Sequence, residues 1–597
     1  MNVFYEEDGA FKAGSVLADN STSLQVESSH GKRSKIKASA VLIRFSEPGL
    51  SGFMEHAQKI AEDIDPDFLW ECCPSEDFSF DALGSEYFGH SPSPLEGAGV
   101  LIRLHHSPMY FYKKGKGKYK AAPPDALKAA LASQEKKKRM AELQAELASR
   151  LVNRELPEAI SVMLPDLLYA PDKNGVEYKA VALACEQTGL SVPRLLEACG
   201  ALPSSHDYHL NRFLFEHFPK GPPSLENCDI VVPDLPLGDA EGFSIDDATT
   251  TEIDDAFSVS FLEDGHLRIG IHIAAPAIGI AKGSNADLHA LKMLSTLYIP
   301  GRKFTMLPQS GIEAFTLSEN RICPVLSLYL EVNADFEVIS TRNALESVPI
   351  VSNLRHESIG QDCRFAKELD TLLNFAQKLE ALRGKSNNVN QIDYNFRVEN
   401  DRVSITERER GAPLDKIVSE LMIHANTEWA KQLSSSGYAA IYRAQQNGKV
   451  RHETAPAPHQ GLGVSQYAWT TSPLRRYVDL VNQRQLVSMV EGKAPAYDTG
   501  SDEIPVIMRD FDQAHDLYND IQRTMERYWC LRWLLQENIS TMAGTVQREN
   551  WVKLDGLPLA GKVSSLPEMP AGSRVSVVIT QVDLFELGFH ARFLERI

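Results

Sequence analysis

The sequence predicts a multidomain α+β protein. Short alternating apolar and polar runs, parted by Gly and Asn, occupy both ends of the chain. Between them, a block from about 227 to 540 reads as strands first and helices later. The length agrees: 597 residues, at ~150 per domain, make about four domains. Hydrophobic residues are 43% and charged residues 24%, the balance of folded protein.

In chain order, 1–50 carries Val3-Phe4-Tyr5, Leu24-Gln25-Val26 and Val41-Leu42-Ile43, the pattern of a small β-barrel. Residues 51–122 read as helices at 53–64, 67–73 and 79–88, then strands at 100–105 and 109–114. Helices followed by a basic hairpin make a winged-helix-like region. Its tip carries Lys114, Lys116 and Lys118 beside Tyr110, Phe111, Tyr112 and Tyr119. Rings stack on bases and lysines meet phosphates, so nucleic-acid contact is one reading and a solvated turn the other. Residues 123–222 form a helical connector and a helical module. One long exposed helix spans 124–155, then short helices break at Pro165, Pro171, Pro193 and Pro203. The 223–540 block ends in helices at 412–434, 473–490 and 512–537. Leu517, Ile521, Met525 and Tyr528 keep helical spacing in the last. Short strands in 541–597 suit an OB-type barrel.

The net charge is −19, which argues against a protein that holds nucleic acid by bulk positive field. That charge is concentrated. Residues 223–264 hold twelve carboxylates and neither Lys nor Arg, whereas 101–121 carry six basic residues and no acid. No secretory signal or bilayer-length apolar run is apparent, and eight cysteines are too few for a disulfide scaffold. The expectation is a cytoplasmic monomer with no membrane partner. Phosphate-binding loops of the G-x-x-x-x-G-K-[ST] type, H-E-x-x-H and G-x-S-x-G are absent from the sequence.

Two constellations carry chemistry. In 243–261, Asp246, Glu252, Asp254 and Asp255 crowd a small-residue loop between strand-like runs. Carboxylates held this close raise one another's pKa unless a cation neutralises them. Hard oxygen donors with open positions suit Mg²⁺, one or two ions, which can clamp a phosphodiester's attacking and leaving oxygens. An acidic surface turn or a structural Ca²⁺ loop remains the alternative. The second constellation is 467–480, where Ser472 reads as N-cap and Pro473 as the first helical residue. Arg475 and Arg476 then oppose the helix dipole, which points to a bound phosphate. The alternative is a solvated Arg475–Asp479 pair.

Together these stretches resemble the ribonuclease II / ribonuclease R family and its RNB catalytic α/β core. The matching motifs are Ile245-Asp246 with Glu252-Ile-Asp254-Asp255-Ala256, Tyr298-Ile-Pro-Gly301 with Met306-Leu-Pro308, and Thr471-Ser-Pro-Leu-Arg475-Arg476-Tyr-Val-Asp479. The resemblance covers 227–540, with a tail like the family's C-terminal RNA-binding domain. It implies a processive, Mg²⁺-dependent 3′→5′ exoribonuclease that degrades single-stranded RNA to nucleoside 5′-monophosphates. It implies that Asp246, Glu252, Asp254 and Asp255 are metal-site acids, with Asp254 essential to cleavage. It implies that Arg475 holds the scissile phosphate, and that Tyr298 and Glu526 contact the 3′-terminal nucleotide. The base clamp falls on His356, in Leu354-Arg-His356, and on Phe396, with Tyr394 as its rival. Glu252 departs from the family's aspartate, and His356 from its tyrosine.

Three functions stand for test: an active exoribonuclease, an RNA-binding protein of this fold with weakened catalysis, and a winged-helix regulator of duplex DNA.

Overall fold

In the computed structural model the chain is described except for residues 224–229, 248–249, 264, 356–363, 386–391 and 410, and the side chain of Glu409. It folds as two compact units. One comprises Met1–Pro157 with Asp172–Thr188, the other Glu158–Pro171 with Gly189–Ile597.

The first unit opens with a five-stranded antiparallel sheet, ordered fourth, third, second, first, fifth along the chain. Alternation along Asn2–Glu7 sends Val3 and Tyr5 into a core with Leu24, Val26 and Ile36. It sends Phe4 to the other face, against Phe53. Helices Phe53–Asp63, Pro66–Glu71, Phe80–Phe88 and Pro94–His106 follow, then a hairpin, Phe111–Gly115 with Lys118–Ala121.

Residues 100–105 are therefore helical, not the expected strand. Ser93 and Glu96 form a reciprocal capping box ahead of them. The helix is buried from Gly97 to Ile102, so its apolar run lacks the exposed face that marks helical periodicity. Gly99 is required there, because a Cβ would sit 2.7 Å from Ile60 Cγ2. Of the four rings around the hairpin, Tyr110, Phe111 and Tyr119 are core residues. Only Tyr112 is exposed, together with Lys114, Lys116 and Lys118. The helix Pro124–Val152 is largely exposed, and Val176–Thr188 packs along it.

In the second unit, five strands close a barrel: Gly242–Asp246, Asp255–Phe261, Leu267–Ala274, Arg321–Val332 and Val338–Arg355. The last four pair antiparallel in chain order. The closure is a parallel pairing of Gly242–Asp246 with 350–355, plus an antiparallel bridge from Phe243 to Phe257. One strand face, with Phe257, Ile271 and Leu328, packs on helices Ala366–Arg383 and Pro413–Ser435. The alternate positions include Ser258, His272 and Ser327, all buried, with His272 bridging both serines at 2.8 Å. Both strand faces are covered, which is why the runs read as nearly continuous apolar sequence.

Helix Tyr477–Val490 is buried along most of its length. Helix Glu503–Gln536 is the longest in the chain and contributes Ile521, Met525 and Tyr528 to cores. The hairpin Ile392–Glu399/Arg402–Glu409 packs near its C-terminal part through Val403 and Phe396. The tail forms a five-stranded antiparallel sheet over 541–596. Among the described residues no helix is long and apolar enough to cross a membrane.

Candidate active site

Barrel closure brings the acids together. Asp246 ends its strand opposite Arg355, while Asp255 begins the neighbouring strand opposite Ile273. The Asp254 carbonyl accepts from the Ala274 N–H at 2.8 Å, continuing the ladder by one residue. Asp254 is 3% exposed. Burial pushes its carboxyl up to about 7, against the pull of Arg475 and of the Leu474 N–H. Asp255 is raised well above the usual carboxylate range, by burial first and then by the charges of Asp246 and Asp254.

The arginine comes from a turn rather than a helix. Helix Tyr477–Val490 starts four residues later than expected, so Ser472 is not its N-cap and Arg475 is not in its first turn. Tertiary bonds explain the shift. The Tyr477 N–H donates to the Leu294 carbonyl and the Thr296 N–H to the Arg475 carbonyl, at 2.8 and 2.9 Å. Those bonds pin the turn to 294–296, where Leu294 holds φ at +59°, a strained value for a leucine. Asp479 is fully buried, accepting from the Ser472 N–H and twice from Arg476. The alternative reading, an Arg475–Asp479 pair, is not what forms: Asp479 pairs with Arg476, which also lies over the Trp469 ring at 4.0 Å.

Arg475 is left for Asp254. Its Nε donates to Asp254 Oδ2 at 3.0 Å, and its Nη2 to Ser472 Oγ at 2.9 Å. The Leu474 N–H takes Asp254 Oδ1 at 2.9 Å. Both carboxylate oxygens are therefore occupied, one by the turn's backbone and one by the guanidinium, whose side chain stays 41% exposed.

Glu252 points elsewhere. It accepts from Thr296 Oγ1 at 3.3 Å, the Tyr298 hydroxyl at 3.2 Å and Lys303 Nζ at 3.0 Å. The four predicted acids, Tyr298, Lys303, Arg408 and Arg475 all line one cavity of about 520 Å³. Tyr298 and Lys303 also line a neighbouring cavity of about 650 Å³, walled by Tyr394, Phe396, Gln522 and Glu526.

The RNB domain family model matches residues 236–453 and 448–492. The chain carries an RNB domain of the ribonuclease II / ribonuclease R family.

An uncharacterised ribonuclease of Synechocystis sp. is 24% identical over 383 residues, 57% of each chain. Exoribonuclease 2 of Buchnera aphidicola is 26% identical over 325 residues, 43% of this chain and 50% of that one. The chain thus spans about half the length of the curated relatives it matches. Two solved structures share the fold. Dss1 exoribonuclease of Candida glabrata, an active-site mutant, has a TM-score of 0.64 at 16% identity, covering 99% of this chain and 98% of that one. Mycoplasma genitalium RNase R with ribose-methylated single-stranded RNA has a TM-score of 0.56 at 14% identity, covering 66% and 78%.

Within the RNB domain, the cavity gathers Asp246, Glu252, Asp254, Asp255, Tyr298 and Arg475. Phe396 and Glu526 line the adjoining cavity. Glu526 is half-buried, accepts from Gln522 at 2.8 Å, and is raised by burial. Phe396 packs partly against the core under the tail sheet, and Tyr394 lies beneath Lys553. Arg476 is spent on Asp479 and Trp469. His356 lies outside the described residues.

Two cationic residues of the cavity were not legible in the sequence. Lys303 sits in a short hairpin, Leu297–Ile299 with Arg302–Phe304, where a lysine reads as solvated. Arg408 bridges Asp247 and Asp415, which no local pattern announces.

Asp246, Asp254 and Asp255 bring carboxylate oxygens to one cavity. That donor set suits a hard divalent cation. Among the described residues no group of three or more His, Cys, Asp or Glu side chains is placed to hold a metal ion. Mg²⁺ is commonly held by one or two carboxylates, its remaining positions taken by water and phosphate oxygens. Asp246 and Asp255 fit that role.

Proposed function

We propose that this chain is a processive 3′→5′ exoribonuclease that hydrolyses single-stranded RNA to nucleoside 5′-monophosphates with Mg²⁺. One observation carries the reading. The Asp254–Arg475 pair, buried on its acid side and open on its guanidinium side, borders a cavity that also holds Asp246 and Asp255. The RNB family match supports it.

Hydrolysis breaks the P–O3′ bond of the terminal linkage and joins a water oxygen to phosphorus. The terminal residue leaves as a 5′-monophosphate and the shortened chain keeps a 3′-hydroxyl. Arg475 meets the scissile phosphate with its exposed guanidinium edge and stabilises the charge that develops on its oxygens. Asp254, itself held by the Leu474 N–H, fixes that edge through the Arg475 Nε hydrogen bond, so no reorientation is needed as the charge grows. Asp246 and Asp255 would hold Mg²⁺, which lowers the pKa of a bound water. Tyr298, between the two cavities, orients the terminal nucleotide, with Phe396 and Glu526 beyond it. The exposed lysines of the 111–121 hairpin give further nucleic-acid contact.

The decisive assay uses 3′-labelled single-stranded RNA with Mg²⁺, with and without EDTA. Mononucleotide release that EDTA stops is expected, and Asp254→Asn abolishes it while retaining RNA affinity. Full activity in that variant would sink the assignment. Binding without release in the wild type would favour an RNA-binding protein with weakened catalysis. Glu252, tied to Lys303, is the observation behind that second reading.

A further inference from the structure

A further cavity of the RNB domain encloses about 570 Å³, against about 520 Å³ for the active-site cavity, and no residue lines both. Both volumes fall in the ~300–1,000 Å³ range of small-molecule sites. Helix Pro413–Ser435 contributes to each. Asp415, Val418 and Ser419 line the active-site cavity. Glu420, Ile423, His424, Thr427 and Lys431 line the other, at spacings of i, i+3, i+4, i+7 and i+11 that make one stripe of the helix.

The wall of this cavity is mixed. Phe336, Leu379, Ile423 and Val464 supply apolar surface. Its carboxylates are already matched to cations. Glu420 accepts from Arg383 Nε at 2.9 Å and also from Nη2, and Arg383 donates again to the Leu462 carbonyl. Glu337 lies 4.0 Å from Lys378. Lys431 adds a third cation and is exposed. Burial holds His424 neutral. His424 Nε2 and Thr427 Oγ1 are buried, and neither has a hydrogen-bond partner among the described residues. Buried polar atoms are normally paired. Two such orphans, one helical turn apart in the wall of one cavity, mark a place where a polar guest is stabilised.

We propose that this cavity binds a small organic anion, whose apolar body packs between Phe336, Leu379 and Ile423 and whose phosphate or carboxylate head meets Lys431 and the Thr427 hydroxyl. Either head has the required chemistry, because each accepts a charge-assisted bond from an ammonium and a further bond from a hydroxyl. Arg383 is spent on Glu420 and does not compete for the head. The site shares no residue with the active-site cavity, so the inference stands apart from the RNA-hydrolysis reading.

The probe is 8-anilinonaphthalene-1-sulfonate, an anion with a planar apolar body, titrated into the full-length chain and read by its fluorescence. The wild type shows a saturable site that Lys431→Glu weakens by about tenfold or more. Leu382 is 71% exposed and also lines the cavity, so Leu382→Asp sets a negative charge there without touching the core, and it weakens binding too. Leu594→Asp, at an exposed leucine of the tail sheet, leaves binding unchanged and controls for adhesion to surface apolar groups. No saturable site, or wild-type affinity in both Lys431→Glu and Leu382→Asp, overturns the proposal. Competition at the Lys431-dependent site identifies the head. Displacement by adenosine 5′-monophosphate assigns a nucleotide, displacement by octanoate assigns an acyl carboxylate, and displacement by neither overturns the proposed ligand class.

Discussion

Among the aspartate–arginine pairs of the RNB domain, Asp287–Arg484 and Asp254–Arg475 differ in what the arginine can reach. Arg484 is 5% exposed and Asp287 3%. The guanidinium bonds Asp287 at 2.7 Å, the Ile280 carbonyl at 3.0 Å and the Tyr497 hydroxyl at 2.9 Å. Asp287 in turn accepts from the Tyr477 hydroxyl and the Gly283 N–H. Protein closes around that pair on every side. Asp254 is equally buried, but Arg475 is 41% exposed and borders a cavity. The same two residue types serve packing in one place and chemistry in the other. What separates them is whether the guanidinium retains an edge for a ligand.

Variants at the two arginines separate the roles. Arg475→Lys keeps the charge but loses the planar fork. It slows mononucleotide release by ~10²–10³-fold, with an unfolding midpoint close to wild type. A variant that turns over normally would merge the two pairs into one structural class. Arg484→Met leaves Asp287 buried without its partner and lowers unfolding free energy by about 3–5 kcal/mol in urea titrations. Its release rate in the folded fraction stays near wild type.

Acid probes the closed side. Burial holds His272 neutral, with its pKa lowered to about 3, and does the same for His424 and His459, each to about 4. Unfolded, each takes up a proton near its ordinary value of 6.5. The unfolded state therefore binds more protons below that point, and stability falls as pH drops from about 6.5 towards 3. Asp254 and Asp255, raised by burial, oppose this trend, so the check compares wild type with His272→Gln. The wild-type urea midpoint loses more between pH 7 and 4, and parallel profiles would show that the ring is not buried neutral. The smallest effect is Tyr298→Phe, which removes one hydroxyl from Glu252 and costs about 0.5–1.5 kcal/mol. The check is a KM for single-stranded RNA that rises by no more than about tenfold at unchanged fold.

Much of the site was legible in the chain because its residues are local in sequence. Asp246, Glu252, Asp254 and Asp255 fall within ten residues, and Thr471 to Asp479 within nine. Long-range contacts were not legible. The helix that holds 100–105 is buried without a break from Gly97 to Ile102, and apolar content alone does not distinguish that from a buried strand. The Ser472–Arg476 turn is not helical because Leu294 and Thr296, some 180 residues earlier, take its backbone bonds. Of the rings around the basic hairpin, three are core and one is exposed, which depends on what packs beneath them.

The opposing charge of 223–264 and 101–121, the order of the motifs and the strand-then-helix layout were determined by the sequence itself, since composition and short-range spacing carry them. Tertiary structure alone decided which acid meets which cation. Asp254 received Arg475, Asp479 received Arg476, and Glu252 received Lys303. Such pairings depend on barrel closure and on backbone bonds between distant turns, and neither leaves a period or a motif in the chain.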